Sequence, residues 1–139
     1  MIILDTSGLL AAIDASQRQH EAVRHALERA SPPWILSPFV LAELDYLLAT
    51  RVGQTAERAL LAEVGRGVYR LEAFEADDIA AAERLIGRHA DLQIGLADAS
   101  IVVLANRHGV RDLLTLDERR FRVLRGYGGR PFRLLPADA

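Results

Sequence analysis

The sequence predicts an α/β fold, a three-layer sandwich with a mainly parallel central sheet of four to five strands. Short apolar segments alternate with helical segments along the whole chain, which is the order that a parallel sheet requires. The first segment, residues 1–5, is apolar without polar alternation, as expected of a strand buried on both faces. The 139 residues contain no linker, internal repeat or low-complexity stretch, so we expect a single domain spanning 1–139.

Each element is indicated by its apolar pattern and by the residues at its ends. The predicted strands are 1–5, 34–36, 68–71 and 113–116, with 131–135 as the least marked of five. The predicted helices are 9–13, 16–30, 38–53, 55–63, 75–89 and 97–108. Ser16 with Gln19 matches a capping box, and Ser37 followed by Pro38 matches a helix start. Thr55 is a further candidate cap.

Composition excludes several classes of protein. There is no cysteine, so disulfides, thiol chemistry and thiolate zinc sites are excluded, and a reducing cytoplasm is the expected location. No apolar run approaches a secretory signal or a membrane span. The net charge of -2 gives no global attraction to nucleic acid, so such binding would need a local basic patch. All seventeen basic residues are arginine, which excludes a lysine nucleophile.

Four acidic residues stand where apolar segments begin or end: Asp5, Glu43, Asp98 and Asp117. Asp5 and Asp117 close predicted strands, and sites in parallel sheets form at the carboxyl ends of strands. Asp98 lies in the first turn of one helix and Glu43 about one turn into another, so all four can meet at one edge of the sheet. A buried carboxylate is costly unless a cation compensates it. A divalent metal such as Mg²⁺, which takes oxygen ligands, would supply that charge.

Each acid also has a purely structural explanation. Asp5 could cap the first helix, Asp98 could complement a helix dipole, and Asp117 could hold the turn that follows it. Glu43 is harder to explain in this way, because its neighbours three and four positions away are all apolar or aromatic. For any one acid the structural explanation is the better one; jointly, the four favour a site.

Four segments match the motifs of a known family. They are Ile3-Leu4-Asp5-Thr6-Ser7, Ser37-Pro38-Phe39-Val40-Leu41-Ala42-Glu43-Leu44, Leu96-Ala97-Asp98-Ala99-Ser100-Ile101 and Leu114-Thr115-Leu116-Asp117-Glu118-Arg119-Arg120-Phe121. In this order and spacing they resemble a PIN domain, and most of all the VapC toxins of bacterial toxin–antitoxin pairs. The resemblance covers nearly the whole chain, and none of the motifs is broken.

The resemblance implies a metal-dependent endoribonuclease that cuts structured RNA, either tRNA or rRNA. Mg²⁺ or Mn²⁺ would be bound most directly by Asp5 and Asp98, with Glu43 and Asp117 completing the site. Water would attack the phosphodiester and leave a 5′-phosphate and a 3′-hydroxyl. Small hydroxyl residues would orient the carboxylates or the attacking water: Thr6, Ser100 and Thr115.

An acidic pocket repels phosphate, so the RNA must be held by basic residues nearby. The segment after Asp117 is rich in arginine, and we expect four of its arginines to bind RNA phosphates: Arg119, Arg120, Arg122 and Arg125. A single arginine here would be better explained as a solvated surface residue; the cluster favours phosphate positioning.

The resemblance also implies partner proteins. A VapB-type antitoxin would lay a segment into an apolar groove and place a basic side chain near the acids. The predicted groove residues are Leu9, Leu10, Ile13, Leu44, Leu47 and Leu48, although the core is the better explanation for most of them. The family further implies a homodimer, which becomes a heterotetramer or larger assembly with antitoxin.

Other readings of the four acids remain open at this level. A phosphatase with Asp5 as nucleophile usually needs a lysine near the site, and the chain has none. A non-catalytic module could use the acidic groove to bind a basic partner peptide. A DNA-specific nuclease of the same fold is a closer variant.

Overall fold

The computed structural model describes residues 1–139 as an α/β sandwich around a five-stranded sheet. The strands are β1 (Ile2–Leu4), β2 (Trp34–Leu36), β3 (Arg70–Leu71), β4 (Asp112–Leu114) and β5 (Arg133–Leu135). The α-helices are α1 (Thr6–Ile13), α2 (His20–Arg29), α3 (Pro38–Arg51), α4 (Gln54–Gly65), α5 (Ala76–Arg88), α6 (Leu96–His108) and α7 (Glu118–Phe121). No helix combines the length and apolar character that crossing a membrane requires.

The sheet is parallel throughout, with the strand order β3-β2-β1-β4-β5. β1 is central: its Ile3 pairs with Ile35 of β2 on one side and with Leu113 of β4 on the other. Successive β1 residues are all buried although they point to opposite faces, so both faces of the sheet are covered. The predicted three-layer fold is therefore confirmed, and the least marked strand, β5, is present.

The first helix begins at Thr6 rather than at residue 9, and two predicted helix caps are wrong. Ser16 does not cap α2, because its amide and hydroxyl both donate to Asp14 Oδ1, at 3.0 and 2.7 Å. That local turn delays the helix until His20. Thr55 lies inside α4, whose cap is Gly53 with φ 135°. In both places a local turn before the helix determines where it begins.

The start of α3 is as predicted, and it fixes α3 against α6. Ser37 Oγ accepts a hydrogen bond from the Phe39 amide at 3.1 Å, and Pro38 takes the first helical position. Buried Ser100 of α6 donates to the Ala97 carbonyl at 2.6 Å, so the Ser37 hydroxyl is the donor in their 2.7 Å contact. This hydroxyl pair joins the two helices that carry Glu43 and Asp98.

Helix α1 begins directly after β1 and lies close to the end of β4. A Cβ atom on Gly8 would collide with the Leu114 carbonyl, so only glycine permits this approach. The Asp5 amide donates to the same Leu114 oxygen at 3.0 Å. These contacts fix the backbone of Asp5 beside the carboxyl end of β4.

Candidate active site

Asp5 is the most buried of the four acids. Its Oδ2 accepts hydrogen bonds from the hydroxyls of Thr115, at 2.6 Å, and Ser7, at 2.9 Å. Burial raises the pKa of Asp5 to about 6, although both hydroxyl bonds act in the opposite direction. The end of the central strand therefore holds a carboxylate in a fixed orientation whose negative charge is poorly solvated.

Asp98 and Asp117 lie on either side of a guanidinium group. Arg120 donates from Nη1 to Asp117 Oδ2 at 3.1 Å, and its Nε lies 3.9 Å from Asp98 Oδ2. Burial raises the pKa of Asp98, while a hydrogen bond from the Gly95 amide and the charge of Arg120 oppose the rise. Asp117 also caps α7, since its Oδ1 accepts from the Arg120 amide at 3.0 Å. Both acids therefore cap helix ends, as their structural explanation predicted, and both also line one cleft.

Glu43 completes the acidic set from the third side. It lines the same cleft as the other three acids, and its charge contributes to the raised pKa of Asp98. Glu43 is nevertheless exposed. Its neighbour Tyr46 is 66% exposed, so this side of α3 faces solvent although it carries an aromatic residue. Contrary to prediction, its apolar neighbours do not bury Glu43, whereas its place beside the other acids is as expected.

The four acids share a cleft of about 470 Å³ at the carboxyl edge of the sheet. Two larger clefts, of about 610 and 520 Å³, lie elsewhere and contain none of these acids. The chemistry favours the smaller cleft, because only there do the acid after β1 and the acids of α3, α6 and the β4–α7 loop converge. Its donors are all oxygen, the set that Mg²⁺ and Mn²⁺ prefer. The donor set fits such an ion, although the present rotamers bring no three acids into ligating distance of one point.

The hydroxyl residues near the acids have different partners. Thr115 binds Asp5, as expected, and its Oγ1 also accepts the Asp117 amide at 2.9 Å. Thr6 is buried in the cleft, and its Oγ1 has no hydrogen-bond partner. The prediction that Ser100 orients a carboxylate is wrong, because its bonds go to Ser37 and Ala97. Ser7, which sequence reasoning did not assign to the site, takes that place beside Asp5.

The four arginines predicted to bind phosphate fall into two groups. Arg120 is committed to the acidic cleft, and Arg122 pairs with Asp138 and Glu118 at 2.8 and 2.9 Å. Arg119 and Arg125 are exposed and have no carboxylate within 4.0 Å. Of the four, only Arg119 and Arg125 carry a charge that no carboxylate of the protein neutralises.

The predicted apolar groove for an antitoxin is largely core. Leu9, Leu44 and Leu48 have no exposed surface, so the prediction is wrong for these three. Leu10 is 7% exposed and Leu47 is half-buried, and both line the acidic cleft. Ile13 is half-buried at the end of α1. Any protein that docks here would meet the cleft margin rather than a continuous leucine surface.

Comparison with known proteins identifies the arrangement. The family model described as PIN domain matches residues 2–126. This chain belongs to the PIN-domain family. It is 45% identical over 135 residues to Ribonuclease VapC26 of Mycobacterium tuberculosis strain ATCC 25618 / H37Rv. The aligned region covers 97% of this chain and 100% of that protein. The domain is therefore a member of the VapC group of ribonuclease toxins.

The fold of this PIN domain is also that of a solved toxin. The crystal structure of Mycobacterium tuberculosis VapC20, described as a sarcin-ricin loop cleaving toxin, matches with a TM-score of 0.79. The two sequences are 26% identical, and the match covers 84% of this chain and 90% of that one. The resemblance drawn from the four motifs is confirmed by both comparisons.

Proposed function

We propose that this PIN domain is a Mg²⁺- or Mn²⁺-dependent endoribonuclease and the toxin of a VapB–VapC-type pair. The observation that carries the proposal is the convergence of Asp5, Glu43, Asp98 and Asp117 on one cleft in a chain of the VapC group. The ion would be held by these four carboxylates. When bound, it would lower the pKa of an attacking water and offset the charge that builds on the phosphate.

The residues around the acids have separable parts in this reaction. Thr115 and Ser7 hold Asp5 in one orientation through two hydroxyl donors, which fixes the buried side of the site. Thr6 lines the same cleft, but its hydroxyl oxygen is buried and has no hydrogen-bond partner. Glu43 is exposed and unbonded, so it is the acid best placed to accept a proton from the attacking water.

Structured RNA is the proposed substrate. VapC20 is described as cleaving the sarcin-ricin loop, and the related fold and 26% identity support a tRNA or rRNA loop as the target class here. Cleavage by water would leave a 5′-phosphate and a 3′-hydroxyl. Arg119 and Arg125, whose charges are free, are the best of the predicted arginines for holding the RNA backbone.

The proposed protein partners are a VapB-type antitoxin and a second copy of the chain. The acids already accept the guanidinium of Arg120, so a basic side chain of an antitoxin fits the same cleft. Leu10, Ile13 and Leu47 would contact the antitoxin beside it. We expect a homodimer that forms a heterotetramer or larger assembly with antitoxin.

The proposal is tested by incubating purified protein with total cellular RNA in Mg²⁺, Mn²⁺ or EDTA and mapping the cut ends. Asp98→Asn should abolish cleavage, whereas Asp91→Asn, an acid outside the cleft, should leave it intact. Discrete fragments that require metal and bear 5′-phosphates are expected. Absence of cleavage by a folded, antitoxin-free protein would instead favour the non-catalytic module that binds a basic peptide.

A further inference from the structure

A second cleft of this protein is lined by basic residues and no acidic ones. It has a volume of about 520 Å³ and lies between α5, α6 and the loop after α7. Arg84 and Arg88 of α5, Arg125 of the loop and His89 line it. None of the three arginines has a carboxylate within 4.0 Å, whereas Arg107 and Arg122 nearby are both paired.

The three arginines repel one another in the protein without a ligand. Arg84 and Arg88 are one helical turn apart, so like charges face the same side of α5. Arg125 adds a third charge from across the cleft. In a chain with net charge -2 and nineteen acids, a patch that excludes every acid is suited to an anionic ligand.

The floor of the cleft is apolar. Leu85, Val102, Val103 and Leu124 line it together with the arginines. The amide of Asn106, which also lines the cleft, is already bonded to the Val102 carbonyl and the Gly128 amide. A free phosphate would gain nothing from such a floor. A nucleotide gains from both parts, because its phosphate pairs with arginine while its base packs on an apolar surface or on a guanidinium plane.

Helix α6 contributes residues to this cleft and to the acidic cleft, although the two clefts share no lining residue. Asp98, Val102 and Asn106 are spaced four residues apart on α6, so they lie on one face. The α6 rise places Val102 and Asn106 about 6 and 12 Å from Asp98 along the axis. An RNA strand with one phosphodiester at the acids would therefore reach the arginines with a flanking nucleotide.

We infer that Arg84, Arg88 and Arg125 form a binding site for the RNA strand that flanks the cleaved bond. The inference rests on the proposed ribonuclease function and deepens it. It moves the main phosphate-binding surface away from Arg120 and Arg122, whose charges are neutralised, to α5, a helix outside the four family motifs. An acidic segment of a protein partner is the competing occupant.

Binding measured without cleavage tests the site directly. Fluorescence anisotropy of a short labelled single-stranded RNA is followed in EDTA across a range of KCl concentrations. The Arg84→Gln/Arg88→Gln/Arg125→Gln triple variant should bind about tenfold or more weakly. The slope of log K against log salt should fall by roughly 2, since each phosphate contact on a single strand contributes about 0.7.

A matched triple variant separates this site from general charge loss. Arg18, Arg58 and Arg66 are also exposed and unpaired, and Arg58 lies on α4, which packs on α3 rather than on α5. Their replacement by Gln removes the same charge and should change the slope little. Thermal melting of each variant verifies that all remain folded.

The possible results point in different directions. Unchanged RNA affinity and slope in the α5–loop triple, with metal-dependent cleavage by the wild type intact, overturns the inference but leaves the proposed function standing. Loss of poly-glutamate binding in that triple, with RNA binding retained, assigns the cleft to an acidic protein segment. A wild type that binds RNA through these arginines yet never cleaves it refutes the proposed function alone.

Discussion

Replacing Asp5 by Asn should stabilise the metal-free protein at neutral pH. Asp5 is a buried carboxylate with two hydroxyl donors but no cation in contact. Asn keeps the shape and an oxygen acceptor while removing the charge. The same change should abolish cleavage, so activity and stability move in opposite directions, as is common where an active site holds destabilising charges.

The magnitude follows from the pKa of Asp5. The difference between 3.8 and about 6, at about 1.4 kcal/mol per pKa unit, gives at most about 3 kcal/mol. Because folding raises this pKa, the folded protein binds the proton more tightly than the unfolded chain does. Asp5 therefore does not lower the free energy of unfolding well below pH 3.8. It lowers that free energy progressively as the pH rises from 3.8 towards 6, and by a constant amount at higher pH.

Urea unfolding in EDTA, between about pH 4 and about pH 8, measures this effect. The stability gap between Asp5→Asn and wild type should open as the pH rises. Asp138→Asn is the control of opposite sign, because Arg122 and the Leu134 amide lower the pKa of Asp138 to about 2. Removing that carboxylate should destabilise near neutral pH, and the loss should shrink in acid.

Two results would refute the reasoning about Asp5. An Asp5→Asn protein less stable than wild type at pH 8 would mean that the hydroxyl bonds outweigh burial. A gap that does not change with pH would mean that Asp5 has an ordinary pKa in the folded protein.

Three further changes test the neighbouring structure. Arg120→Gln should strengthen Mn²⁺ binding by about tenfold in calorimetry, because it removes a guanidinium that competes with the metal for Asp98 and Asp117. Arg119→Gln, a change at an exposed and unpaired arginine, should leave the affinity unchanged. Equal Mn²⁺ affinities of wild type and Arg120→Gln would exclude Arg120 as a competitor. Gly8→Ala should lower the unfolding free energy by about 1–3 kcal/mol through its collision with the Leu114 carbonyl, and an unchanged urea midpoint would contradict that contact. Ser100→Ala should cost about 1–2 kcal/mol by leaving a buried hydroxyl partner unsatisfied, again read from urea unfolding.

Much of the fold could be predicted because its signals are local. The uninterrupted apolar run of β1 and the Ser37-Pro38 start of α3 depend only on neighbouring residues, and both were found in place. Ser16 misled for a related reason: its competing partner, Asp14, is just two residues away, and a turn closes more readily than a helix start.

The site was predicted less completely because exposure and pairing depend on tertiary contacts. Tyr46 is aromatic yet mostly exposed, so apolar neighbours could not establish that Glu43 is buried. Arg120 was grouped with phosphate-binding residues, although its spacing of three from Asp117 on α7 was a signal for an ion pair. The free arginines of α5 were missed, because their isolation from every acid is a property of three-dimensional packing alone.

The bond between Thr115 and Asp5 joins residues separated by 110 positions in the chain. Since β1 also takes its central place only when β4 pairs with it, Asp5 is oriented only after the chain has been synthesised through Thr115. A growing polypeptide on the ribosome therefore has three of the four acids but no assembled cleft. On the proposed function, such a chain cannot cut surrounding RNA until β4 has formed and paired with β1.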